Sequence, residues 1–394
     1  MINEFGVKNF FGFKEWAVVS FDLDKKVPHN ISMGLSVSPI LGVKGANASG
    51  KTNLLKVLGF IKYFVTENVL ENSSPVNSEK DQKIDITSFF KSKDASDFFI
   101  DFDFKGINYK YEFSVTVDEI IREELFIRKN VRSLKIFERE RNELTYTQQK
   151  YKELKKLKLK KNISVIQHIM NFDFRFEKED ILNFNQFFEC SHMNVNKFGI
   201  HRDYSNDFDL VDFLAQKMVE LPGLKDFVVD LIKRSDLGVS SIEVDKNKSS
   251  EGEDVYSPYF IHNHDTESHR LPFVAESNGT RKLFVSLSQY WFTLQTGGFL
   301  ALDEFDIHLH PMILPSIVEL FSDCNINKTG AQFIFTSHNS EIMDLLGKYR
   351  TVLVEKKNNE SYCYRLDEIP GIRGDRSLSG RYLKGEFGGV PDIG

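Results

Sequence analysis

The chain is 394 residues long, 41% hydrophobic and 27% charged, with a formal net charge of −6. That is enough apolar material for one composite domain with an inserted lobe, and the acidic balance excludes indiscriminate coating of nucleic acid, so any such contact needs a local basic patch. Three cysteines, Cys190, Cys324 and Cys363, lie far apart without metal-ligand spacing. With neither a run of about 18 apolar residues nor a basic-then-apolar N-terminus, a cytoplasmic protein is expected, with no membrane span and no export.

Phe5 to Phe11 reads as an opening strand, and Leu35 to Val43 as a short buried one. Gly45-Ala46-Asn47-Ala48-Ser49-Gly50-Lys51-Thr52 follows at once and fits the phosphate-loop pattern G-x-x-x-x-G-K-[ST]. Its glycines let successive N–H groups turn inward on phosphate oxygens, Lys51 reaches the β- and γ-phosphates, and the Thr52 hydroxyl is offered to Mg2+. Asn53 stands in the first turn beyond the loop. Leu54, Leu58, Ile61 and Val65, widened by Leu55, Val57 and Phe64, predict a helix whose N-terminus faces ATP.

Phe98 to Phe104 and Tyr109 to Phe113 alternate apolar with polar residues around Gly106-Ile107-Asn108, an antiparallel hairpin. From Glu138 to Lys161 the chain is charged and poor in glycine and proline, which predicts helix with a thin stripe of Leu144, Tyr151, Leu154 and Leu157. Seven lysines between Lys150 and Lys161 form either a solvated face or a contact for a nucleic-acid backbone. Phe172 to Phe188 reads as an apolar helical face and Phe208 to Ile232 as helix, with Val239 to Val244 and Tyr256 to His262 as strands.

Glu276-Ser277-Asn278-Gly279-Thr280 opens another apolar helix, and a serine and glycine at a helix start can donate to phosphate. Gly298 to Leu302 is a buried strand ending in Asp303 and Glu304, suited to holding Mg2+ and to orienting and deprotonating water. Gln332 to Ser337 is a third, ending in His338, which can sense a γ-phosphate. Two strands, Thr351 to Glu355 and Tyr362 to Leu366, precede a basic tail.

This order of motifs resembles the ATP-binding cassette head of ABC-type and AAA-family ATPases. The resemblance implies Lys51 and Thr52 as phosphate-loop residues, Ser277 and Gly279 as the signature, Asp303 as the metal-binding aspartate, Glu304 as the catalytic glutamate and His338 as the switch histidine. It further implies a head-to-tail homodimer with two sandwiched ATP-Mg2+. No residue of a glutamine loop is placed by the pattern. The stretch Asp303-Glu304-Phe305-Asp306-Ile307-His308-Leu309-His310-Pro311 is similar to that of the overcoming-lysogenization-defect (OLD) and RloA or AbiL type abortive-infection ATPases. Asp306 would then face the opposing protomer. His308 and His310 would begin a helix, with metal binding as their alternative role.

The expected fold class is α/β, an ABC-ATPase-like P-loop NTPase head of mixed sheet and antiparallel β lobe, with an inserted, mainly helical lobe. Residues 1–125 and 236–394 would form the head, and 126–235 the inserted lobe. The residues after His338 are too few for a Toprim nuclease domain, so the resemblance implies a separate nuclease effector controlled by this ATPase in anti-phage defence. The alternatives are an SMC-like DNA-repair ATPase, and a sensor or scaffold in which ATP is a clamp and hydrolysis incidental.

Overall fold

The computed structural model describes residues 1–24, 27–32, 34–66, 83–156, 158–172, 174–195, 207–234, 238–265, 267–306, 313–372 and 376–390. Strands β1 (Ile2–Lys8) and β2 (Ala17–Ser20) pair antiparallel, one helical turn, α1 (His29–Ser32), follows, and β3 (Ile40–Lys44) leads through the phosphate loop into α2 (Lys51–Thr66). Five strands succeed one another as an antiparallel meander: β4 (Ser96–Phe104), β5 (Ile107–Val115), β6 (Ile120–Arg128), β7 (Ser133–Glu140) and β8 (Glu143–Thr147). Helices α3 (Val165–Asn171) and α4 (Glu179–Glu189) come next, then the two-residue β9 (His192–Met193). After α5 (Phe208–Glu220) and α6 (Pro222–Arg234), strands β10 (Val239–Lys248), β11 (Asp254–His264) and β12 (Glu267–Pro272) form a small antiparallel sheet. The chain closes with α7 (Asn278–Thr296), β13 (Phe299–Leu302), α8 (Leu314–Ser322), β14 (Gln332–Thr336), α9 (Ile342–Leu346), β15 (Thr351–Lys357), β16 (Glu360–Arg365) and α10 (Leu378–Leu383).

Two large sheets result, which is the expected α/β head with an antiparallel lobe. One has the order β2-β1-β4-β5-β6-β7-β8 and is antiparallel throughout; the other runs β16-β15-β3-β14-β13-β9, parallel except for β16. Because side chains alternate along a strand, the short parallel strands feed two cores at once. Leu41, Val43, Phe299, Ala301 and Ile334 face the layer shared with the antiparallel sheet, whereas Ile40, Leu300, Leu302, Phe333 and Phe335 face the helices that include α7 and α8. Helix α2 lies in the shared layer and is apolar nearly all round. Phe60 stacks on Phe98 at 4.8 Å and Phe64 on Phe113 at 4.3 Å. The phosphate-loop helix is therefore clamped along its length, each buried Phe contributing about 1.5–3 kcal/mol.

The helix expected over 138–161 does not form. Strands β7 and β8 and a short 3-10 segment, Gln149–Lys156, occupy that stretch, and residues 126–147 complete the antiparallel sheet rather than opening a helical lobe. The physical reason is tertiary. Glu, Lys and Leu favour helix locally, but β7 pairs with β6 so that Arg139 lies opposite Glu123, both fully buried. The Arg139 guanidinium also donates to the carbonyls of Ile163 and Lys160, each at 2.6 Å. Three smaller differences concern element limits: only Glu179 onward is helical in the phenylalanine-rich stretch, Pro222 starts a second helix within 208–232, and β12 adds a strand without apolar alternation.

Candidate functional site

At its two glycines the phosphate loop meets neighbours that leave no room for a side chain. A Cβ on Gly45 would lie 2.2 Å from the Val354 carbonyl oxygen, and one on Gly50 would lie 2.8 Å from Ser361 Oγ. Ser361, on β16, donates its hydroxyl to the Ser49 carbonyl at 2.7 Å, so the edge hairpin braces the loop from behind. Ala48 adopts φ +62°, a left-handed conformation that costs a residue with Cβ about 1–2 kcal/mol. A left-handed residue within a glycine loop is the kind of turn from which an anion nest is built. Asn47 and Ala48 are exposed at the crest, and Thr52 and Asn53 are half-buried in the first turn of α2. Lys51 Nζ donates to the Gly45 and Ala46 carbonyls, both at 2.9 Å. Burial lowers its pKa, opposed by Asp303 and Glu304. Ser49 Oγ is buried with no hydrogen-bond partner. An orphaned hydroxyl and an ammonium bonded to its own loop fit a phosphate that would engage both.

Strand order brings the other motifs to the same edge, since parallel strands end together. β14 lies between β3 and β13, so Thr336 at its end sits beside the loop that follows β3 and reaches the acidic pair that follows β13. Its hydroxyl donates to Asp303 Oδ1 and accepts from the Glu304 N–H at 2.7 Å. Thr52 Oγ1 donates to the other oxygen, Asp303 Oδ2, at 2.6 Å. On the far side, Asn194 just beyond β9 locks the Asp303 backbone, with Nδ2 donating to its carbonyl and Oδ1 accepting from its N–H, each at 2.8 Å. Glu304 takes φ +52° as the chain turns, and its Oε1 lies 3.1 Å from His338 Nε2.

Asp306 caps the loop after β14, accepting from Ser337 Oγ at 2.8 Å, from the His338 N–H at 3.1 Å and from the Asn339 N–H at 2.9 Å. Behind it, buried Lys44 donates to the Ser337 carbonyl at 2.7 Å. Burial pushes the Lys44 ammonium down to about 8, with Asp306 opposing the shift and Lys51 reinforcing it.

Lys51, Thr52, Asp303, Glu304 and His338 are thus assembled within one chain. Ser277 and Gly279 stand apart in their bonding. Ser277 Oγ caps α7, accepting from the Thr280 N–H at 3.1 Å, and the adjoining Glu276 carboxylate is held by the His262 ring. Asn194, Thr336 and Lys44 were not singled out from the sequence: Thr336 sat unremarked inside a recognised strand, and nothing near Asn194 marks it. His308 and His310 lie outside the described residues. Among the described residues no cluster of three His, Cys, Asp or Glu side chains could hold a metal alone. Thr52 and Asp303 suit a hard cation such as Mg2+, which takes its remaining oxygens from phosphate and water.

A family model described as "AAA domain, putative AbiEii toxin, Type IV TA system" matches residues 40–344, more than half of the chain and all of the motifs above. The chain belongs to this AAA-domain family. No curated protein matches it. Among solved structures, this AAA domain is similar to an SMC head bound to the C-winged helix domain of ScpA, with a TM-score of 0.51 and 13% identity over 92% of this chain and 96% of that one. The SMC head domain from Thermotoga maritima matches at 0.44 and 12%, covering 92% and 98% of the two chains. An SMC head with an extended coiled coil, bound to the C-terminal domain of ScpA and derived from Pyrococcus furiosus, matches at 0.45 and 12%, covering 93% and 97%. At such identity the likeness concerns the head fold alone.

Proposed function

We propose that this AAA domain binds ATP with Mg2+ on its phosphate loop and hydrolyses it between two copies packed head to tail, and that the cycle controls a separate nuclease effector in cytoplasmic defence against phage. The observation that supports this best is the chain of contacts Thr52–Asp303–Thr336–Glu304–His338, which puts a cation-binding pair and a base beside one phosphate cradle. Mg2+, when bound by Thr52 and Asp303, supplies charge neutralisation on the phosphates. Lys51 exchanges its loop carbonyls for β- and γ-phosphate oxygens, and Ser49 gains the partner it lacks. Glu304 accepts a proton from the attacking water while His338 orients it and registers loss of the γ-phosphate. Asn194, whose carboxamide bonds the backbone carbonyl and N–H of Asp303 from the neighbouring strand, fixes the position of the metal-binding aspartate. Ser277, whose hydroxyl bonds Thr280 at the start of its own helix, and Gly279 act on the nucleotide of a second copy.

The family description, with its toxin and toxin–antitoxin wording, favours the defence setting. A DNA-repair or chromosome-organising ATPase is the second reading, favoured by the SMC-head fold. Against it, the helices described within 126–235 reach only 13 residues, too short for a projecting coiled coil. Among the described residues no helix is long and apolar enough to cross a membrane.

The test is Glu304→Gln, with phosphate release and mass in solution measured together. Turnover should fall by roughly 10²–10⁴-fold while ATP stays bound and dimers accumulate; Lys51→Ala should bind no ATP. Turnover in Glu304→Gln equal to that of the unmodified chain would sink the hydrolytic mechanism and leave the clamp-and-scaffold alternative.

A further inference from the structure

The stretch from Lys150 to Lys161 carries seven lysines and one acidic residue, Glu153, so this short segment holds +6 while the remainder of the chain holds −12. The concentration is built onto a firm base. Tyr151 and Leu154 are fully buried and Leu159 nearly so, Arg139 grips the Lys160 and Ile163 carbonyls, and the Lys160 N–H donates to His168 Nε2 at 3.2 Å. Three apolar anchors turned inward leave the lysines turned outward. Lys152, Lys155, Lys156, Lys158 and Lys160 are exposed, and among the described residues no carboxylate lies within ion-pair distance of them. Lys135 nearby, by contrast, is paired with both Glu124 and Glu138. Lys150 and Lys129 share one carboxylate, Asp180, at 4.0 and 2.8 Å, which brings the β6–β7 turn beside the platform. That turn adds Arg132 and an almost completely exposed Val131.

We propose that this lysine platform, together with the β6–β7 turn, binds the phosphate backbone of duplex nucleic acid without reading its base sequence. Unpaired like charges held close together repel one another, and a polyanion that neutralises them releases counterions in return. A protein partner fits less well. Protein interfaces centre on aromatic and aliphatic anchors and are depleted in lysine, whereas every described apolar side chain of 150–161 is buried. For a membrane surface the described platform and turn offer one small exposed apolar side chain, Val131, less than the Trp, Phe and Leu face by which an interfacial anchor holds. The stretch 150–161 has no Arg, Asn or Gln, the turn adds only Asn130 and Arg132, and the one aromatic ring of the stretch, Tyr151, is buried, so the surface is dominated by lysines suited to phosphates and provides no ring for stacking on unpaired bases. A link to the nucleotide site exists through α3, where Gln167 Nε2 donates to the Phe64 carbonyl near the end of α2, at 2.9 Å.

The test uses the full chain and fluorescein-labelled duplexes of about 30 base pairs, with anisotropy followed from about 50 to 300 mM NaCl. Binding should weaken with a slope of log K against log salt of about −4 to −5, as expected for roughly five phosphates neutralised, and should be the same for duplexes of unrelated sequence. Changing Lys155, Lys156, Lys158 and Lys160 together to Gln should remove about three to four units of that slope; the same four changed to Arg should keep it. Duplex DNA and duplex RNA arms identify the natural polyanion. An unchanged slope in the Gln variant, tighter binding of single strands than of duplexes, or binding only to phosphatidylserine vesicles would each overturn the assignment. Lys51→Ala, which should lose ATP, should still bind duplex, so failure of the platform and failure of the hydrolytic mechanism are told apart.

Discussion

Thr336→Val is the most direct perturbation of the site, because valine nearly matches threonine in shape and removes only the hydroxyl that holds both carboxylate residues. Thr336 is fully buried, and its hydroxyl serves the Asp303 carboxylate and the Glu304 N–H. A hydrogen bond to a charged group contributes about 1.5–3 kcal/mol and the neutral one about 1, so the variant should lose about 2.5–4 kcal/mol of stability. With an unfolding entropy of about 2.1 cal/mol/K per residue and 394 residues, that corresponds to a fall in Tm of about 3–5 °C. Function should suffer more. If Glu304 and Asp303 shift on the order of 1 Å, turnover should fall about 10²-fold. Nucleotide affinity measured without Mg2+ should change little, since the loop itself is untouched, and Thr336→Ser should restore most of both losses. Scanning calorimetry and phosphate release at saturating ATP decide the matter. A Thr336→Val chain with unchanged Tm and unchanged turnover would refute the claim that this hydroxyl organises the site.

Two further outcomes follow from the geometry. Ala48→Val should weaken binding of ATP by at least about tenfold and cost more than about 1 kcal/mol, because a β-branched residue resists the left-handed φ of +62°, whereas Ala48→Gly should bind normally; calorimetric titration checks both. His168 is buried, and burial, reinforced by Arg139 and Lys160, lowers its pKa to about 4, against about 6.5 in the unfolded chain. The unfolded state therefore takes up the proton first, so His168 contributes stability that is complete above about pH 6.5 and is lost as pH falls to about 4, up to about 3 kcal/mol at 1.36 kcal/mol per unit. Urea midpoints measured across that range should fall steeply, and His168→Gln should flatten the fall.

The nucleotide loop was legible because its constraint is local. A chain that must bend its backbone around phosphate needs glycine where Gly45 and Gly50 meet Val354 and Ser361, and that requirement is written in consecutive residues. The same holds for the α2 stripe, the β4–β5 hairpin and the apolar runs ending in Asp303 and His338, whose periodicities survive without neighbours. Residues 138–161 read as helix because their local composition favours it, whereas pairing with the preceding strand β6 and the buried Arg139–Glu123 contact, which composition does not register, decide the outcome.

What the sequence alone determined is a set of short motifs: a phosphate-loop pattern, the Asp303–Glu304 pair at a strand end, and a histidine at another. Only the tertiary structure decided which of them meet. The order β3-β14-β13-β9 seats Thr336 between the phosphate loop and the acidic pair and sets Asn194 against Asp303, contacts made by residues 33 and 109 positions apart. Such pairings follow from strand neighbours chosen by the whole core, and the turning outward of the lysines follows from anchors buried beneath them; neither is a property of any window of consecutive residues.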